Sequence, residues 1–220
     1  MFVEPPNTKT ENQTATENTA KPKPIKGRGA IGNPKHRFTT KNHEKFHDEW
    51  ETFEFNEPAP KTILIRESAK TIVSSNNSPD IGFDKSINPY RGCEHGCIYC
   101  YARPTHAYWD MSPGLDFETR IVIKENAAEQ LRQTLSKPGY RASPICIGAN
   151  TDPYQPAESQ LKITRSVIEV FKEFKHPFSI ITKNHLIERD LDLIAPLAEQ
   201  KLCNVAVTVT TLNRDLKRLL

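Results

Sequence analysis

The sequence predicts an α/β fold: a partial barrel of about four βα units, preceded by a polar N-terminal tail. Three observations predict it. Short apolar runs at 145–148, 178–182 and 205–209 have the composition of buried strands. The stretches between them carry apolar residues at helical spacing. Residues 1–56 are rich in Pro, Asn, Thr and Lys and show no sustained periodicity. Strands alternating with helices argue for parallel βαβ units, and right-handed crossovers coil such units toward a barrel.

Taken in order, residues 1–56 read as a disordered tail. Its stretch KPKPIKGRGAIGNPKHRF (21–38) is locally basic. A solvated tail is the plainer reading of that charge. The functional reading is an arm that touches nucleic acid or folds back over the active site. Residues 57–85 form a lead-in segment, with 61–65 and 70–74 as the short strands of a hairpin. The core spans 86–220. A strand at 86–90 feeds a cysteine-bearing loop, and 119–124 is strand-like. A helix at 125–135 aligns Ala128, Leu131 and Leu135, and one at 160–174 groups Val167, Val170, Phe171 and Phe174. A third at 187–199 repeats Ile187, Leu191, Ile194 and Ala198. Residues 213–220 look like the start of a fourth.

The most specific signal is the phrase SINPYRGCEHGCIYCYARP, in which Cys93, Cys97 and Cys100 are spaced C-x3-C-x2-C with Tyr99 before the last cysteine. Gly92 and Gly96 let the backbone fold tightly there. Three neighbouring thiolates can hold three irons of a four-iron cluster, whereas electron-transfer clusters use four cysteines. The iron left over is open to a ligand, as the open position is in a catalytic zinc site. The alternative is zinc, whose fourth ligand would be His95, His106, Cys146 or Cys203, none at a familiar zinc-finger spacing. A disulfide framework is disfavoured by five cysteines and no signal-peptide core.

In α/β barrels the working residues gather where strands end. After 145–148 come Asn150, Thr151 and Asp152, able to hydrogen-bond a ligand's amino, carboxylate or ribose groups; Asn, Asp and Pro are equally good turn formers. After 178–182 comes Lys183, an ammonium leaving a buried strand, for which a ligand carboxylate is a fitting partner. Thr208, Thr210 and Thr211 follow the last strand, where threonine also suits the strand itself. Arg103 and His106 could orient a ligand, or His106 could simply be packed. Cys146 and Cys203 read as structural.

Beyond the cysteines, the segments NSPDIGFDKSINPYRGCEHGCIYCYARPTHAYWDMSPGLDFETR, GANTDPYQPAE, ITKNHLIERDLDL and VTVTTLNRDLKRLL resemble the radical S-adenosylmethionine (SAM) superfamily. Within it they resemble the proteins related to spore photoproduct lyase, the SplB-type DNA repair photolyase group. The resemblance covers roughly residues 60–220. It implies a (β/α)6 barrel, a [4Fe-4S] cluster on Cys93, Cys97 and Cys100, and SAM on the open iron. It further implies SAM contacts from Asn150, Thr151 and Asp152, from Lys183, from Thr208 and from Tyr99. Reductive cleavage of SAM to a 5′-deoxyadenosyl radical, which abstracts hydrogen from a substrate, is the implied activity. A one-electron reductant of the flavodoxin or ferredoxin type is the implied partner, and nucleic acid is one candidate substrate. The lyase has a hydrogen-donating cysteine at the end of its second strand, where this sequence places Asn150, so photoproduct repair itself is not implied. Six units are implied and about four are present, so the expectation is a chain cut short or a barrel completed by another segment or chain.

Composition narrows the rest. The 220 residues carry 30 Lys+Arg against 27 Asp+Glu, a net charge of +3, too small to imply nucleic-acid binding by itself. No stretch approaches the about 20 apolar residues of a membrane span, and a soluble cytoplasmic protein is expected. The rival function from another class is a zinc-stabilised nucleic-acid-binding module without catalysis.

Overall fold

The computed structural model describes residues 24, 25, 27–39, 60–213, 215 and 216. The remainder of the expected tail, and most of the helix expected at 213–220, lie outside the described residues. The strands are β1 (Ile63–Glu67), β2 (Val73–Ser75), β3 (Lys85–Ile87), β4 (Tyr90–Arg91), β5 (Arg120–Lys124), β6 (Ile145–Ile147), β7 (Phe178–Thr182) and β8 (Cys203–Val207). The helices are α1 (Leu115–Thr119), α2 (Ala127–Leu135), α3 (Glu158–Leu161), α4 (Ile163–Phe174) and α5 (Leu191–Glu199), with 3-10 helices at Arg103–Trp109 and His185–Asp190.

The main sheet runs β2-β3-β6-β7-β8, with β3, β6, β7 and β8 mutually parallel and β2 antiparallel to β3. This is the α/β fold predicted from sequence. α4 buries Val167, Val170 and Phe171 against the sheet, and Phe171 stacks on Phe178 of β7 at 4.8 Å between ring centroids. Lys175 ends the helix in the left-handed region, and Pro177 follows. α2 buries Ala127, Leu131 and Leu135. No described helix is long and apolar enough to cross a membrane.

Three elements depart from expectation. Residues 61–65 and 70–74 do not form a hairpin: β1 pairs in parallel with β5, and β2 pairs with β3. The connection is drawn apart because Ile72 enters the core and Asn126, just before α2, hydrogen-bonds both the N–H and the carbonyl of Ala69. The 160–174 helix is two helices, broken at Lys162, which sits at φ 53°. The 187–199 helix begins as a 3-10 turn capped by Asn184, whose side chain accepts from Leu186 N. The helical phase restarts at Leu191, so the buried face is Leu193, Ile194 and Leu197, while Leu191 is exposed.

Residues 27–39, read from sequence as part of the tail, lie against the segment that carries α1. Gly32 O accepts from Leu115 N at 3.1 Å, and Pro34 O accepts from Ser112 Oγ at 2.9 Å. At β8, the edge of the described sheet, Val207 is exposed, as are Val209 and Leu212 beyond the strand.

Candidate active site

The parallel strands β3, β6, β7 and β8 deliver their following loops to one end of the sheet. β3 is followed by β4 and then by the cysteine loop. Gly92 and Gly96 sit at φ 77° and 64°, conformations that L side chains rarely adopt. Cys93 N donates to Phe117 O at 2.8 Å, and Cys100 N to Cys97 O at 3.2 Å. Arg103 holds the outside of the loop. Its guanidinium donates to Gly96 O and Cys97 O at 3.0 Å, and to Glu118 Oε1 at 2.5 Å.

The loop after β6 holds the inside. Asn88 Oδ1 accepts from Asn150 N at 2.8 Å, and Thr151 Oγ1 donates to Tyr90 O at 2.8 Å. Gln155 is fully buried; it donates to Gly92 O at 3.3 Å and accepts from Glu94 N at 3.0 Å. Glu94 in turn accepts from Ala157 N at 2.7 Å. The loop that carries the thiols is therefore hydrogen-bonded on both sides.

Between these loops lies a cavity of about 200 Å³. Cys93, Cys97 and Cys100 all line it, with Asn150, Asp152, Lys183, Thr208, Tyr99 and His95. A wider cleft of about 370 Å³, lined by Val207–Thr211, shares His95, Cys97, Tyr99, Lys183 and Thr208 with it. Lys183 Nζ donates to Cys97 Sγ and to Tyr99 Oη, both at 2.9 Å. Burial opposes the charge on Lys183, but these two acceptors outweigh it and hold its pKa above the ordinary lysine range. Tyr99 Oη also lies 2.9 Å from Thr210 Oγ1. Burial pushes the Cys93 thiol up to about 12, so it is protonated at neutral pH until something binds it.

Asp152 fastens one wall. It accepts from Thr182 Oγ1 at 2.6 Å, and from Tyr154 N and Lys183 N at 2.9 Å. Burial resists its ionisation, yet the neighbouring His95 and these donors pull its pKa below the usual range. His95 Nε2 is 3.4 Å from Asp152 Oδ2; that nitrogen is buried and has no hydrogen-bond partner.

Of the residues singled out from sequence, Cys93, Cys97, Cys100, Tyr99, Asn150, Asp152, Lys183 and Thr208 meet at the cavity. Thr151 does not line it; its hydroxyl is spent on the backbone of β4. Asp152 lines the cavity with both oxygens engaged by the protein. Arg103 is committed to the loop backbone, and buried His106 to Arg120 O at 3.1 Å, so neither is free to orient a ligand. Cys146 is buried within β6, four positions before Asn150. Sequence reasoning missed Asn88, Glu94, Gln155 and Glu118. The only signal for them was position, beside the cysteines or on the following loop.

Residues 87–220 match the family model described as Radical SAM superfamily. The chain is 43% identical over 142 residues to the uncharacterized protein Rv2578c of Mycobacterium tuberculosis, covering 64% of this chain and 42% of that protein. It is 27% identical over 158 residues to the uncharacterized protein MJ0683 of Methanocaldococcus jannaschii, covering 72% of this chain and 56% of that one. The chain thus spans about two-fifths to just over half the length of these relatives. No solved structure matches.

Proposed function

We propose, from the premise that this chain belongs to the Radical SAM superfamily and so uses a [4Fe-4S] cluster and S-adenosylmethionine, that Cys93, Cys97 and Cys100 hold the cluster and the cavity beside them holds SAM. The carrying observation is that the three thiols and the Lys183 ammonium line one cavity at the strand ends. The donor set fits the group. All three cysteines are free, and thiolate is the ligand such clusters take. His106, one candidate for the fourth ligand of a zinc site, is hydrogen-bonded to Arg120 O instead.

When bound, the cluster supplies the single electron that divides SAM into methionine and a 5′-deoxyadenosyl radical, which takes a hydrogen atom from the substrate. The chain's own residues bind and orient. Lys183 offers an ammonium to the carboxylate of SAM, and Asn150 and Thr208 offer neutral hydrogen bonds. Asp152 keeps the β7 turn, and with it Lys183, in place. Tyr99 steadies Lys183 from the other side. Within the superfamily the SplB-like subgroup is the branch whose segments this sequence resembles, with a flavodoxin- or ferredoxin-type protein as electron donor and nucleic acid as a candidate substrate. Asn150, in the place of that group's hydrogen-donating cysteine, has no thiol hydrogen to give. A hydrogen atom returned to a substrate radical would have to come from a group other than Asn150.

Anaerobic reconstitution with iron and sulfide is the test. The chain should take up about four irons and four sulfides and gain visible charge-transfer absorption. Replacing any one of Cys93, Cys97 or Cys100 by Ala should abolish both, while Cys203→Ala should leave both unchanged. Uptake of one colourless metal instead would establish the zinc module.

A further inference from the structure

We propose that residues 28–34 are a positioning strap for the cysteine loop, acting through Glu118 and Gly96. The Glu118 carboxylate is fully buried, and a buried charge persists only with good partners. It has them on two sides. Gly29 N donates to Oε2 at 3.0 Å and Ala30 N to Oε1 at 2.9 Å, both from the strap. Arg103 donates to Oε1 at 2.5 Å and reaches Gly96 O and Cys97 O with the same guanidinium. One carboxylate thus couples the strap to the carbonyls beside the second cysteine.

Two further contacts run the same way. Arg28 donates to Glu118 O at 2.8 Å, to Pro60 O at 3.1 Å and to Thr62 Oγ1 at 3.2 Å. Thr62 Oγ1 then donates to Glu94 Oε1 at 2.7 Å, next to Cys93. Gly29 also lies so close to the loop that an added Cβ would fall 1.8 Å from Gly96 O. Backbone on backbone at that distance admits only glycine. At Gly32, by contrast, a Cβ would meet nothing within 4 Å. The cysteine loop has little regular structure of its own, so the strap keeps Cys93 seated before any ligand arrives, the preorganisation a binding constellation requires. What the loop holds rests on the function proposed above; the strap's effect on the thiols does not.

The experiment uses metal-free full chain and measures iodoacetamide alkylation of each cysteine by mass spectrometry. Cys93 and Cys146 are both buried, and Cys146 serves as the internal reference. Gly29→Val and Arg28→Ala should each speed alkylation of Cys93 about tenfold or more, the scale of one lost charge-assisted contact, and leave Cys146 within about twofold. Gly32→Ala should change neither, and Arg28→Lys should recover part of the loss. Unchanged Cys93 reactivity in both variants would overturn the proposal. So would a parallel rise at Cys146, which would mean that the segment merely supports the whole fold. Neither result touches cluster assembly by the three cysteines, which is read from iron and sulfide content in the unaltered chain.

Discussion

Lys183 is the residue on which the site's electrostatics turn. It leaves a buried strand and brings an ammonium to within 2.9 Å of a thiol that lines the cavity. Lys183→Gln removes the charge and keeps a donor. It should leave iron and sulfide content unchanged and weaken SAM binding by roughly 10- to 100-fold, the value of a hydrogen bond to a charged group. Equilibrium binding of SAM to the reconstituted protein measures this. A second lysine behaves oppositely. Lys124 is buried in β5 and donates to Asn88 O at 2.8 Å. Burial, then the nearby Arg91, lowers its pKa to about 8 despite the attraction of Glu67. Its ordinary value is 10.5. Between the two values the unfolded chain binds more protons than the folded one, so stability rises with pH across that window. Relative to Lys124→Met, the unaltered chain should be at its greatest disadvantage below about pH 8 and should gain steadily toward pH 10.5. Urea midpoints of both chains across that range measure it.

At the scale of elements, the break between α3 and α4 sits where the loop clamping the cysteines hands over to the helix that builds the core. Lys162 is held there at φ 53°, which costs an L-residue roughly 1–2 kcal/mol. Glycine avoids most of that strain and loses about 0.5–1 kcal/mol in chain entropy. Lys162→Gly should therefore be neutral or stabilising by up to about 1 kcal/mol, although an unbroken helix would have been weakened by it. Lys162→Val should destabilise by about 1 kcal/mol or more. Chemical denaturation distinguishes the two directions.

At the scale of the molecule, one buried polar network ties the loop after β6 to the turn after β7. Glu158 is fully buried; it accepts from Tyr90 Oη, from Thr164 N at 2.9 Å and from Arg189 at 2.8 Å. Asp190, also buried, accepts from Arg165 and Arg189 and from Tyr154 Oη at 3.1 Å. Burial, then the adjacent Glu158 carboxylate, raises the Tyr90 phenol far above its ordinary range, so it stays a donor. Glu158→Ala strands Arg189 and Tyr90 together and should cost about 3–5 kcal/mol. Glu158→Gln, which keeps the shape, should cost less. The network fixes the loops at the strand ends as one body, so Glu158→Ala should also lower iron and sulfide uptake on reconstitution, measured at a temperature where the variant remains folded.

What the sequence determined by itself was local. Cysteine spacing, alternation of strand and helix, and the polar residues just past each strand are all written within a few positions of one another. They sufficed for the α/β fold with its parallel strands, and they singled out Asn150, Asp152, Lys183 and Thr208, which folding brings around the thiols. Tertiary structure decided everything that depends on a distant partner. β1 left its expected hairpin because β5, nearly sixty residues on, offers it a ladder. Arg103 and Thr151 looked like ligand contacts, but they are bound to the backbone of their neighbours. Glu118 has no mark in the sequence, and only folding buries it against Arg103 and the strap. A side chain's chemistry is fixed by its type, but whether that chemistry is free for a ligand is fixed by which groups folding has already placed within hydrogen-bonding distance.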